Sequence, residues 1–187
     1  VRLYEERKAR ALPWTRWGLR PQTPVSFKKN AKRANTGIVD HYVMGTMQTT
    51  IDLTTRASYT YFETEKIRFS DTDMVGHVNN VAFAALLESG RTAYGQNLLA
   101  PHMPVDTLIV MARVEIDYRR EVHWPSTVDI GCRITSIGRT SYIIGQGIFL
   151  GETCTTTGRT TLVVINRQTR RPTPMSDSYR QVLQSLL

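Results

Sequence analysis

Residues 67–90 read "IRFSDTDMVGHVNNVAFAALLESG", and the fold turns on how this stretch is divided. Upstream, "YTYFETEKIRF" (59–69) alternates bulky and polar residues through Tyr61, Glu63, Glu65 and Ile67, with aromatic and β-branched types frequent, which predicts a strand ending near Phe69. Downstream, Val81, Phe83, Ala84, Leu87 and Gly90 recur at spacings of three and four among Ala and Leu, which predicts a helix over 80–94. Asn79 or Asn80 is a suitable N-cap, Gly95 is a reasonable stop, and Gly90 inside the helix marks a weak point or a close-packing site. Between strand and helix stand Asp71, Asp73, Gly76, His77, Asn79 and Asn80, more polar groups than a connection needs.

The second half of the chain reads as strands alone. "LIVMARVEIDYRRE" (108–121) alternates over its length, placing Leu108, Val110, Ala112, Val114, Ile116 and Tyr118 on one side, which is expected to be the core side. "STVDIGCRITSI", "SYIIGQGIFL" and "CTTTGRTTLVVINR" follow, separated by the turns "GRT" (138–140) and "GET" (151–153). Short connections imply hairpins, hence antiparallel pairing. The expected class is α+β, an antiparallel sheet of about five strands wrapped around one long, mostly buried helix. Such a sheet leaves an edge strand and a helix side uncovered, which predicts association with a second copy.

Composition sets outer bounds. A chain of 187 residues with 41% hydrophobic content buries one domain core, with length to spare. Cys132 and Cys154 form no CxxC pair and no disulfide framework, which fits a reducing, cytoplasmic setting. The longest apolar runs, such as "TLVVI" (161–165), are far short of the roughly 20 residues of a membrane span. The net charge of +8 is uneven: residues 1–46 hold ten Lys or Arg against three acidic residues, leaving fourteen against thirteen for 47–187. With Pro13, Pro21 and Pro24 and no sustained period, 1–46 reads as a basic, disordered arm, either a genuine tail or an extension ahead of a native start near Met47. The domain proper is 47–187. Nucleic acid is not the expected partner of that domain, because its own charge is nearly balanced.

"RFSDTDMVGHVNNVAFAALLESGR", followed by "VMARVEIDYRREV" and then "SIGRTSY", resembles the hot-dog fold acyl-CoA thioesterases of the 4-hydroxybenzoyl-CoA thioesterase type, in a "GHVNN" variant. The similarity covers roughly 51–174 and is most specific at 68–80. It implies hydrolysis of an acyl-CoA thioester by a homodimer or homotetramer with sites at the subunit interface. No separate cofactor is implied, since coenzyme A belongs to the substrate. The alternatives are a thioesterase acting on acyl carrier protein and a non-catalytic acyl-CoA or nucleic-acid binding module.

The chemistry agrees with the resemblance. Thioester hydrolysis needs an activated water or nucleophile at the carbonyl carbon and donors for the oxyanion that forms. A carboxylate just ahead of a helix, beside the partner-free N–H groups of its first turn, offers both. The resemblance makes Asp73 the nucleophile or general base and assigns the oxyanion donor to the backbone N–H of Asn80. Relatives often carry Tyr or His at that position. Gly76, His77 and Asn79 complete the candidate catalytic set: Gly76 for an unusual backbone angle or close substrate approach, His77 for a substrate or water contact or for loop packing, Asn79 for a contact or the N-cap. Asp71 is the expected scaffold, and Glu88 the reserve carboxylate, unless it merely pairs with Arg91 on the helix surface. Arg139 with Ser141 matches the family's nucleotide-contacting region, with Arg170 and Arg171 as fallbacks. Asp71, Asp73 and His77 are too irregularly spaced to suggest a metal set, so no metal is expected.

Overall fold

The computed structural model describes residues 51–187; residues 1–50, which include the basic arm, lie outside it. The elements in chain order are β1 (Tyr61–Lys66), α1 (Asn80–Tyr94), β2 (Thr107–Tyr118), β3 (Thr127–Ile137), β4 (Ser141–Leu150), β5 (Thr153–Asn166) and α2 (Asp177–Ser185). The five strands form one antiparallel sheet in the order β1-β3-β4-β5-β2, and α1 packs across it on β1, β3 and β4. A sheet of this kind around one principal helix is the expected α+β, hot-dog architecture.

Alternation explains the central strands. Val128, Ile130, Cys132 and Ile134 all turn inward and are at most 1% exposed, against Leu86, Leu87 and Tyr94 of α1. Burying an isoleucine this completely contributes about 1.5–3 kcal/mol. The helix approaches closely at Gly90, where an added Cβ would lie 2.4 Å from Ile130 Cγ2. Below the middle of α1 sits Gln146, fully buried, whose Nε2 donates to the Leu87 carbonyl at 2.7 Å.

Several expectations need correction. β2 and β3 are not a hairpin: β1 and β4 already flank β3, so β2 crosses to the far edge and pairs with β5. The alternation of β2 also breaks, because Met111 pairs with Leu162 and Arg113 with Thr161, leaving Ala112 as an extra residue. The bulge inverts the facing, so Ile109 and Ile116, of opposite parity, both pack on the core, while Val114 stays 42% exposed. In α1 the buried face is Ala82, Phe83, Leu86, Leu87, Gly90 and Tyr94; Val81 and Ala84 are exposed, so the helix is half buried rather than mostly buried. Gly95 is helical (φ −63°) and does not stop the chain, which continues through a wider turn, Gly95–Leu99, that buries Leu99. β1 ends at Lys66, ahead of the Phe69–Asp71 turn.

The C-terminal half is not strands alone. After Pro172 and Pro174, Ser176 caps α2 by accepting from the Tyr179 N–H at 3.3 Å, and Tyr179 and Leu183 are buried against the core. No described helix is long and apolar enough to cross a membrane.

Candidate active site

The loop 71–79 is built by its own polar residues. Asp71 Oδ2 accepts from the Arg68 N–H at 2.8 Å, closing the turn after β1. Its carbonyl receives the Asn79 N–H and the Asn79 Nδ2, each at 2.9 Å. The Asn79 Oδ1 in turn accepts from the Ala82 N–H at 2.8 Å, so Asn79 is the N-cap of α1, with its amide oxygen and nitrogen each in one hydrogen bond. Asp71 and Asn79 together tie the end of β1 to the start of the helix.

Asp73 sits at the tip of this loop. Gly76 takes φ +90°, an angle that favours glycine, and no neighbour approaches its missing Cβ; its role here is the backbone angle. The turn brings the Val75 and His77 N–H groups onto Asp73 Oδ1, at 2.8 and 3.3 Å. Asp73 Oδ2 accepts no hydrogen bond among the described residues. The Val75 N–H chiefly, then the His77 N–H and the nearby His77 ring, hold the exposed carboxyl below the ordinary aspartate range, against a smaller opposing effect of desolvation. It is therefore ionised at neutral pH.

The N-terminus of α1 presents its free donors to the same place. With Ala82 N–H capped by Asn79 and Phe83 N–H bonded to the Asn79 carbonyl, the N–H groups of Asn80 and Val81 have no partner among the described residues. A cleft of about 410 Å³ opens here, lined by Asp73, His77, Asn80, Phe83, Tyr118 and Arg120 among others. It falls within the size of small-molecule sites. The Tyr118 hydroxyl donates to the Asn80 carbonyl at 3.4 Å, and Phe83 and Tyr118 meet edge to face at 5.6 Å.

Four lining residues come from the end of β2, Tyr118, and the segment just after it, Arg119, Arg120 and Glu121, a stretch whose sequence reads only as strand. No local signal marks them; only the β2 crossover carries them to the helix. The Arg119 Nε donates to Thr157 Oγ1 at 3.2 Å, whereas the Arg120 guanidinium makes no hydrogen bond or ion pair among the described residues.

The other candidates lie elsewhere. Glu88 is exposed, pairs with Arg91 at 3.6 Å and does not line the cleft. Arg139 and Ser141 occupy the β3–β4 turn, where the Gly138 N–H donates to the Ser141 carbonyl at 2.7 Å and the Arg139 carbonyl accepts from the Met175 N–H at 3.2 Å. Within one chain that turn is at the opposite end of the sheet from the cleft: Ser141 pairs with Val163, and Val163 with Val110, at the beginning of β2 rather than its end. Arg170 has φ +57° in the loop after β5 and, like Arg171, does not line the cleft.

Metal-ligating atoms also gather differently from the Asp71, Asp73 and His77 set. Among the described residues, the three whose ligand atoms lie within 4.8 Å of one another are His77, Glu121 and His123.

A helix wrapped by an antiparallel sheet, with a carboxylate loop at the helix N-terminus, defines the class as a hot-dog domain. The family comparison is more specific: residues 67–183 match the thioesterase-like superfamily, and the chain belongs to it. Among curated proteins it is 28% identical over 131 residues to the uncharacterized protein YsmA of Bacillus subtilis, covering 68% of this chain and 88% of that one. Among solved structures it resembles a predicted thioesterase from Bacillus stearothermophilus, at 29% identity and TM-score 0.62, covering 68% and 96% of the two chains. A thioesterase from Thermus thermophilus, solved in complex with coenzyme A and zinc, is 27% identical with TM-score 0.60, covering 68% and 94%.

Proposed function

We propose that the protein hydrolyses acyl-CoA thioesters in the manner of the 4-hydroxybenzoyl-CoA thioesterase type, with Asp73 as the reacting carboxylate and the Asn80 N–H as oxyanion donor. The observation that carries this reading is the shared cleft: Asp73, an ionised carboxylate with one oxygen free of hydrogen bonds, and Asn80, whose helix N-terminal N–H has no partner, both line it among the described residues. The thioesterase relatives, one of them bound to coenzyme A, support the substrate class.

In the general-base form, Asp73 takes a proton from water as the hydroxide oxygen bonds to the thioester carbon. The carbonyl electrons move to oxygen, where the Asn80 N–H and the positive end of the helix dipole hold the charge. The intermediate then collapses, the C–S bond breaks, and the thiolate leaves to be protonated, giving acid and coenzyme A. In the nucleophilic form, an Asp73 oxygen bonds to the carbon, the C–S bond breaks to release the thiolate, which is protonated, and water then cleaves the resulting anhydride. Both forms need the carboxylate ionised, which the loop amides favour. Single turnover in ¹⁸O water detects the nucleophilic form: label in Asp73 shows that its oxygen attacked and that water opened the anhydride at the Asp73 carboxyl carbon.

Arg120, which lines the cleft and whose guanidinium has no partner among the described residues, is the cation we assign to the coenzyme A phosphates within one chain. Arg139 and Ser141 reach the cleft only from a second copy. β2 is an edge strand of twelve residues with Met111, Val114 and Tyr118 exposed, a surface that invites antiparallel pairing with its own twofold mate. From Val110 to Tyr118 is roughly 26 Å at the usual rise per residue. Reversing β2 across a twofold axis brings the partner's beginning, and with it the partner's β3–β4 turn, toward this chain's Asp73 end.

Thiol release from a panel of acyl-CoA esters and acyl carrier protein thioesters tests the proposal. No release from any ester sinks the enzyme reading, and release only from carrier-protein esters replaces the substrate.

A further inference from the structure

Just after β2, Glu121 and His123 are exposed on either side of Val122, which points inward and is 1% exposed. An isolated antiparallel bridge pairs His123 with His77, and the Val78 N–H fastens the loop to the Val122 carbonyl at 2.8 Å. Backbone pairing therefore sets both imidazoles beside one carboxylate. His77 Nε2 is 3.3 Å and His123 Nε2 is 3.5 Å from the same oxygen, Glu121 Oε2.

We propose that His77, Glu121 and His123 form a binding site for one zinc-class divalent transition-metal ion at the mouth of the Asp73 cleft. In a tetrahedral site with bonds of about 2.0–2.1 Å, ligand atoms stand about 3.3 Å apart. Two of the three separations here, 3.3 and 3.5 Å, are close to that value, and all three ligand atoms lie within 4.8 Å of one another. The His123 Nδ1 is 3.0 Å from the Gly76 carbonyl, a contact only its N–H can make. That hydrogen bond fixes the tautomer, as the outer partners of metal-bound histidines do, and leaves Nε2 with its lone pair toward Glu121. Two acceptors facing each other need a cation between them. A proton on each ring is one solution; a single metal ion serves both rings and the carboxylate at once.

The donor set selects the ion. Two imidazoles and one carboxylate suit zinc and its neighbours, whereas magnesium and calcium prefer all-oxygen shells. Three protein ligands leave a fourth position for water or a ligand group. Bound metal would clamp the loop that carries Asp73 to the segment after β2.

The test is zinc titration of the full chain, stripped with a chelator, in competition with a chromophoric indicator. One equivalent per chain is expected, undiminished by excess magnesium, with a rise in Tm on binding. His123→Ala and Glu121→Gln should each weaken binding about 100-fold, the upper range for disturbing even an outer partner. The double variant His41→Ala, His102→Ala, which removes the chain's other two histidines, should bind as wild type. Cobalt(II) should give the intense visible bands of a tetrahedral site in wild type and lose them in His123→Ala. The proposal is overturned by the absence of saturable zinc binding, by equal affinity for magnesium, or by full affinity in both His123→Ala and Glu121→Gln. Thiol release by the metal-free protein is measured separately, so failure here leaves the thioesterase reading standing.

Discussion

Replacing Asn79 separates a capping role from a catalytic one. Asn79→Ala removes the acceptor for the Ala82 N–H and the Nδ2 donor to the Asp71 carbonyl. Loss of an N-cap costs about 1 kcal/mol. The second hydrogen bond is worth about 1 kcal/mol more, since the Asp71 carbonyl keeps the Asn79 N–H and is not stranded. The expected total is about 2 kcal/mol, read in urea unfolding at constant m, or a Tm lowered by roughly 4–8 °C for a domain of this size. Asn79→Ser retains a capping oxygen and should recover about half of the loss. Thiol release completes the assay: Asn79→Ser should keep kcat within about threefold of wild type, because the side chain points into the helix start and not at the reacting atoms. A Ser variant of normal stability whose kcat falls about 100-fold would refute the capping argument and make the amide a direct participant. So would an Ala variant with unchanged stability.

Asp73→Asn should lower kcat by about 10²–10⁴-fold with little change in Tm, since the carboxyl is exposed; retained activity removes it from the mechanism, and Glu88 is then the carboxylate to test. The folded pKa of Asp73 is depressed, so its ionised form and the small stability it brings are present above the unfolded value of about 3.9 and are lost only as pH falls through the lower folded value. The acid limb of kcat/KM for stable protein should accordingly lie below about 3.9; a limb near 6 would point to a different group. Gly90→Ala gains about 1 kcal/mol of helix propensity but drives a methyl against fully buried Ile130, which costs up to about 3 kcal/mol, so a net loss of up to about 2 kcal/mol is expected in urea unfolding. Val114→Glu places two like charges at the proposed twofold β2 contact; light scattering should show a monomer, and unchanged mass would exclude that edge as the interface.

Strictly local patterns were legible. The period of two in 128–134 and the spacing of Phe83, Leu87 and Gly90 survive intact, because each of those strands and the helix has one face on a single core. β2 misled at Ala112, since a bulge is a matter of pairing with β5 and leaves no mark in an alternating sequence. α2 was obscured by its length and by the prolines before it, although Tyr179, Val182, Leu183 and Leu186 carry helical spacing. Asp71, Asp73 and Asn79 bond within the loop or to the residues beside it, and so that part of its scaffold could be read from the chain, unlike its ties to Val122 and His123. Arg120, Glu121 and His123 could not, for they are forty residues and more from the loop they face, and only the crossover of β2 to the sheet edge brings them there.

Gln146 has a consequence for how the site is tuned. Its amide grips the Leu87 carbonyl from within the sheet, while Ile130 presses on Gly90 one turn further on. Those two contacts fix both the slide and the roll of the helix, and the tip of a rigid rod moves with its middle. The placement of the Asn80 N–H is thus calibrated from beneath, at a distance from any substrate. Selection for altered turnover would be expected to recover changes at Gln146 and its neighbours as readily as in the cleft, and such variants would shift kcat without touching the bound ester.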